Sequence, residues 1–357
     1  MNTNGDVCTG TKRVVYLDLL RVIAVFGVML LHVCASSIEK SNVETTNWQV
    51  LNVYDSLVRC CVPILIMISG VFFLNPEREY TLGKLLKKNV SRMLTAYVFW
   101  SFCYAVAISF YEHRAISSAF FGSVIKNTIE GRYHLWFINM IVGMYLIVPF
   151  LRKIAADRKL LEYFILLSFI FGFAINFFKM LPVVGEYIDV VITKGEFHFV
   201  LGYVGYFVAG YYFHTYEISQ KREKCIYLLG SISVVVTVVG TSYLSMQAGN
   251  FIGTLYNYLL PTICFQAWAV FLFFKKHISG LRIKQKNMKR ICMLSKLSFG
   301  MYLVHDFVNI VYSFLGVSAT SFMSVLAAPM LACGVFFVSF CVIYVMDKIP
   351  WVNKRFI

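Results

Sequence analysis

VVYLDLLRVIAVFGVMLLHVCA, residues 14–35, follows the basic pair Lys12-Arg13 and carries only two formal charges, Asp18 and Arg21. Coiled as a helix at about 1.5 Å per residue, a run of this length crosses the ~30 Å of hydrocarbon in a bilayer. It is too long for the apolar core of a cleaved signal peptide, and no small-residue cleavage pattern follows it. A retained first span is expected. The same reading extends outward over the chain, which is 59% apolar and only 14% charged. A soluble domain carries roughly 45–50% apolar and about 25% charged residues, so lipid must be the solvent for most of this surface.

Ten such spans are expected, near 14–35, 50–74, 93–111, 135–151, 161–178, 198–214, 225–243, 252–274, 297–315 and 322–346. The fold class is an all-α integral membrane protein with about ten transmembrane helices. It forms one domain over 1–357, and no attached soluble domain is expected. The segment 181–192, around Leu181-Pro182, is too short to span and is expected at the outer interface.

The formal charge of +15 is read as topology rather than as affinity for nucleic acid, because Lys and Arg accumulate in cytoplasmic loops. With ten spans, 25 Lys and Arg fall on the side that holds the N-terminus, against 6 on the other. Both termini are therefore expected in the cytoplasm, with lipid headgroups as partners of the basic loops. The ten cysteines show neither a Cys-x-x-Cys nor a Cys/His ligand spacing; small apolar fillers are expected, and no metal site.

A charged side chain at mid-bilayer costs at least ~2.5–3.5 kcal/mol, so such residues are functional candidates by default. The first span holds Asp18, Arg21 and His32. Eleven residues separate Arg21 from His32, three turns and about 16 Å, so the two project from one face. Asp18 precedes Arg21 by three and is placed to pair with it. His134 opens the fourth span in Tyr133-His134-Leu135-Trp136-Phe137, where an interfacial aromatic belt is the plain alternative. His305 lies mid-span beside Asp306, a dipeptide that is hard to bury without partners. Arg59, near the outer end of the second span, suits either an anionic ligand or a helix-end contact. Ser69-Gly70 matches close helix packing through small residues. Lys84, Lys87, Lys88 and Arg92 gather at the entry to the third span; Arg92 lies where the apolar run has begun, so it could serve a phosphate-bearing ligand.

Arg21 and His32 with ten residues between them, inside Leu17-Asp18-Leu19-Leu20-Arg21-Val22-Ile23-Ala24, resemble the first-helix signature of membrane acyltransferase family 3. Pro63 through Ser69-Gly70, His134-Leu135-Trp136-Phe137 and the run from Ser298 to His305 resemble its later motifs. The resemblance extends from about 13 to 346 and is nearest to the stand-alone branch that includes the enterobacterial common antigen O-acetyltransferase. It implies a multi-pass inner (plasma) membrane enzyme that uses cytoplasmic acetyl-CoA, without a metal, to acylate a glycan or lipid-linked glycan hydroxyl. His32 takes the catalytic position and Arg21 that of its paired arginine. Many members carry Arg-x-x-Arg at the third helix; here the run is Asn89-Val90-Ser91-Arg92, and Lys88 is the nearest substitute for the missing arginine.

The expected site has Asp18, Arg21 and His32 at its catalytic centre, with Arg21, Lys88 and Arg92 holding acyl-CoA. His134, Trp136, Arg59 and His305 are expected at the acceptor. His32 would act as general base on a hydroxyl or carry the acyl group itself. Aligned intramembrane Asp, Arg and His also describe the proton relay of a transporter; that alternative predicts solute movement without acyl incorporation. A non-catalytic partner of a polysaccharide machine would tolerate loss of His32.

Overall fold

A computed structural model describes residues 13–76, 81–113, 116–188 and 202–357. The expected first span is helix α1, Val15–Ile38. The expected second span is two helices, α2 Thr46–Val58 and α3 Cys61–Leu74. Thr45 caps α2 by accepting from the Trp48 amide at 3.3 Å, satisfying one of the orphan donors of the first turn. The interruption at Arg59-Cys60 has a local cause. Pro63 has no N–H to donate, and its ring crowds the carbonyl four residues earlier, which belongs to Arg59.

Then follow α4 Ser91–His113, α5 Ser118–Glu130, α6 Trp136–Ala155 and α7 Arg158–Leu167, the last continued by wider turns to Phe178. Helix α5 lies between the third and fourth expected spans, within 112–134. Ser117 caps it by accepting from Phe120 N, and Gly131, at φ 71°, ends it. Its thirteen residues are shorter than a span, and it packs back along α4. Next come α8 Gly202–Thr215, α9 Gln220–Ala248, α10 Pro261–Phe273, α11 Gln285–Phe314, α12 Ser324–Met346 and α13 Pro350–Phe356.

Among the described residues, nine helical stretches are long and apolar enough to cross a membrane. The sixth expected span, 198–214, begins outside the described residues, and α8 is its described part. The expected interfacial segment 181–192 is described only to 188, as a turn and a short helix.

Helix α1 is the hub, packed by α2, α3, α11 and α12. The apolar windows of α2–α3 and α11 are each 67% buried against other helices, whereas those of Arg158–Phe178 and Gln220–Ala248 are 22% buried and belong to the rim. The helices that carry the intramembrane charges are thus the inner ones, where a polar side chain can find a partner. Ser69-Gly70 does mark close packing: a Cβ on Gly70 would strike the Phe207 carbonyl of α8, and one on Gly210 would strike that of Met67 of α3. The two backbones touch at both glycines. The nine described cysteines are free thiols.

Candidate active site

Three histidines far apart in sequence converge at one level of the bundle. His32 comes from α1, His134 from the short turn of helix Tyr133–Leu135 before α6, and His305 from α11. The His32 and His305 ring centroids are 5.1 Å apart, those of His134 and His305 4.9 Å, and those of His32 and His134 6.4 Å. His134 and His305 are buried, whereas His32 is half-buried. Among the described residues, no group of three or more His, Cys, Asp or Glu is arranged to hold a metal ion.

The backbone sets the tautomer of His305. His305 Nδ1 lies 2.5 Å from the Tyr302 carbonyl. A carbonyl only accepts, so Nδ1 carries the proton and Nε2 presents a lone pair. That Nε2 is buried without a hydrogen-bond partner, as are both ring nitrogens of His134. The Tyr302 hydroxyl donates to the His134 carbonyl, tying α11 to the start of α6. Unpaired buried nitrogens are costly, and their clustering around a half-buried histidine marks a place built to meet another polar group.

Asp306, the companion of His305 and hard to bury alone, has its partners. Arg132 Nε donates to Oδ2 at 2.6 Å and the Tyr133 hydroxyl donates to Oδ1 at 2.8 Å. Asn309 completes the shell at 3.5 Å. The carboxylate thereby holds the residues just before His134 against the helix that bears His305. Arg132 and Tyr133 were missed as site residues; their only signal was that a buried Asp306 demands a cation.

At the other end of the same face, Asp18 and Arg21 do not close the direct pair that their spacing allows. The Ser295 hydroxyl of α11 stands between them, donating to Asp18 Oδ1 at 2.5 Å and receiving Arg21 Nη1 at 3.4 Å. Arg21 also lies over the Phe72 ring at 5.2 Å. A cavity of about 250 Å³ begins there, walled by Arg21, Arg92, Lys296, Ser295 and Tyr145, and reaches Tyr302. Arg21 and Arg92 are therefore brought together. Lys88 is exposed and lines no part of this cavity. Ser295, Tyr145 and Tyr302 are wall residues that no sequence motif marked individually. Lys296 is held by Asp347 at 2.7 Å.

A model of the acyltransferase domain matches residues 14–347. The chain belongs to acyltransferase family 3. No curated protein and no solved structure matches it. For an acyltransferase, the arrangement has two chemical poles: guanidinium groups suited to anionic oxygens and, three turns along α1, imidazoles suited to proton transfer.

Two further residues expected at the acceptor lie beside the histidines. Arg59 is spoken for: its guanidinium meets Asp55 through Nε–Oδ1 at 2.6 Å and Nη2–Oδ2 at 2.7 Å, and sits over Tyr256 at 4.2 Å. Trp136 stacks on Tyr258 at 6.0 Å and tilts against Tyr203 at 5.4 Å. Because Arg59 also approaches the Tyr258 ring at 5.9 Å, these residues form an aromatic wall without ring contact to His32.

Proposed function

We propose that this acyltransferase moves an acetyl group from cytoplasmic acetyl-CoA to a hydroxyl of a cell-surface glycan or its lipid-linked precursor. It would work as a multi-pass protein of the inner (plasma) membrane with both termini in the cytoplasm. Among family branches, the stand-alone O-acetyltransferases, which include the one acting on enterobacterial common antigen, are the nearest in motif. One observation carries the reading. The cavity that starts between Arg21 and Arg92 ends on Tyr302, whose hydroxyl binds the His134 carbonyl beside the histidine cluster.

In this reading Arg21 and Arg92 hold the anionic part of CoA at the cytoplasmic mouth, with Asp18 orienting Arg21 through Ser295. Lys88, off the cavity, would meet only CoA groups that remain outside it. The thioester arm follows the cavity toward His32. The acceptor hydroxyl loses its proton to His32, its oxygen forms the new C–O bond to the acyl carbon, and the C–S bond breaks. The thiolate then takes the proton, leaving free CoA. His305, oriented through its Nδ1–H, presents Nε2 to steady the ring that is protonated in between.

The experiment supplies inside-out vesicles with radiolabelled acetyl-CoA, comparing the intact protein with His32→Ala and Arg21→Ala. Label should enter a glycan fraction and vanish with His32→Ala at equal protein abundance. Equal labelling by that variant would remove His32 from the chemistry. No label above empty vesicles, with acceptor extracts and other acyl-CoAs supplied, would turn the assignment to transport.

A further inference from the structure

Past the histidines, on the side away from Arg21, α1 and α11 open onto a second cavity of about 260 Å³. Ser36 lines it four residues after His32, and Asn309 lines it four residues after His305. Each stands one turn, about 6 Å, further along its helix and on the histidine's own face. Asn309 also reaches Asp306 Oδ1 at 3.5 Å. The cavity therefore begins one turn beyond His32 and His305, and the Arg21–Arg92 cavity lies toward the other end of α1.

The far wall is preformed. Gly316, at φ 68°, turns the chain out of α11. The Ala319 amide donates to Ser37 Oγ at 3.2 Å, and the Ser324 hydroxyl donates to the Ala319 carbonyl at 2.9 Å. Half of the lining residues carry hydroxyls; one, Lys40, carries a positive charge, and none carries a carboxylate. Lys40 has no acidic partner within ion-pair distance among the described residues. These hydroxyls match a sugar, and the exposed Lys40 ammonium, held by no carboxylate among the described residues, matches an anion.

We propose that this cavity is the acceptor subsite, and that it takes a sugar bearing a negative charge, a carboxylate or a phosphate, held by Lys40 while a neighbouring hydroxyl meets His32. The assignment rests on the acyl-transfer reading above. It adds a substrate class to that reading: acidic sugars over neutral ones. The transfer is the step already written, with the hydroxyl oxygen replacing sulfur on the acyl carbon and its proton passing through His32 to the departing thiolate.

The test uses the full chain in detergent micelles, which expose both faces, with acetyl-CoA as donor and CoA release plus labelled product as readouts. Gluco, galacto and N-acetylgluco series are each offered as methyl glycoside, methyl uronide and 1-phosphate. At least tenfold higher kcat/KM for the charged members is expected. The ratio should collapse toward one with Lys40→Gln and persist with Lys40→Arg; because both rates are read on one protein sample, a loss of folded protein cancels from the ratio. Preference for the uronide or for the 1-phosphate tells a uronate-bearing acceptor from a glycosyl phosphate. Equal use of neutral and charged members, or a preference that survives Lys40→Gln, overturns the subsite while leaving acyl transfer standing. Failure of every series, with other acyl-CoAs also tried, overturns both.

Discussion

Asp306→Asn removes one charge from the pair that holds the Arg132–His134 segment to α11, and the size of the effect follows from exposure. The Asp306 side chain is 3% exposed and that of Arg132 28%. Breaking a fully buried pair costs about 3–5 kcal/mol, while an exposed pair contributes about 0–1 kcal/mol. Asp306→Asn leaves the charge on the partner that water can still reach, and its amide oxygen still accepts from Tyr133. About 2 kcal/mol is expected, roughly thirtyfold in the folding equilibrium. Arg132→Gln is the harsher change, since it strands a carboxylate at 3% exposure; about 3–4 kcal/mol is expected. The double variant should cost clearly less than the sum, because neither charge remains. Reversible unfolding by SDS titration in mixed micelles, followed by tryptophan fluorescence, measures all three. An Asp306→Asn variant as unstable as Arg132→Gln, or strictly additive costs, would refute the claim that a buried ion pair anchors this segment.

Two further outcomes are expected. Gly70→Ala should lower the melting temperature in detergent well beyond Ser69→Ala, since the new methyl meets the Phe207 carbonyl rather than a side chain that can yield; more than the ~1–3 kcal/mol of ordinary overpacking is at stake. Wild-type melting would show that the α3–α8 contact has slack. Arg92→Gln should raise the KM for acetyl-CoA about ten- to hundredfold, the range of one lost charge-assisted hydrogen bond at ~1.5–3 kcal/mol. Lys88→Gln, off the cavity, should change it less than about twofold, and equal effects from the two would exclude this cavity as the donor's route.

The spans were legible in the sequence because contact with lipid is a local requirement: each helix must satisfy its own backbone and show apolar side chains around most of its surface. The nine stretches found among the described residues follow the apolar runs, and the break at Arg59 traces to Pro63 four residues on. Helix α5 escaped because its apolar residues are too few for a span, and a capped helix lying against α4 leaves only a weak pattern. The alignment of Arg21 with His32 also needed nothing but helical geometry. Partnership is another matter. Arg132 and Asp306 are 174 positions apart, Ser295 and Asp18 277, so which helices face one another decides those bonds. Asp18 and Arg21, three apart on one helix, had a local pairing open to them, and Ser295 from α11 took its place. The sequence by itself determined where the chain can cross a membrane and which polar side chains must be buried there. Only the tertiary structure decided how three histidines meet, where the two cavities open and which charge answers which, because burial of a polar group demands a partner without naming it.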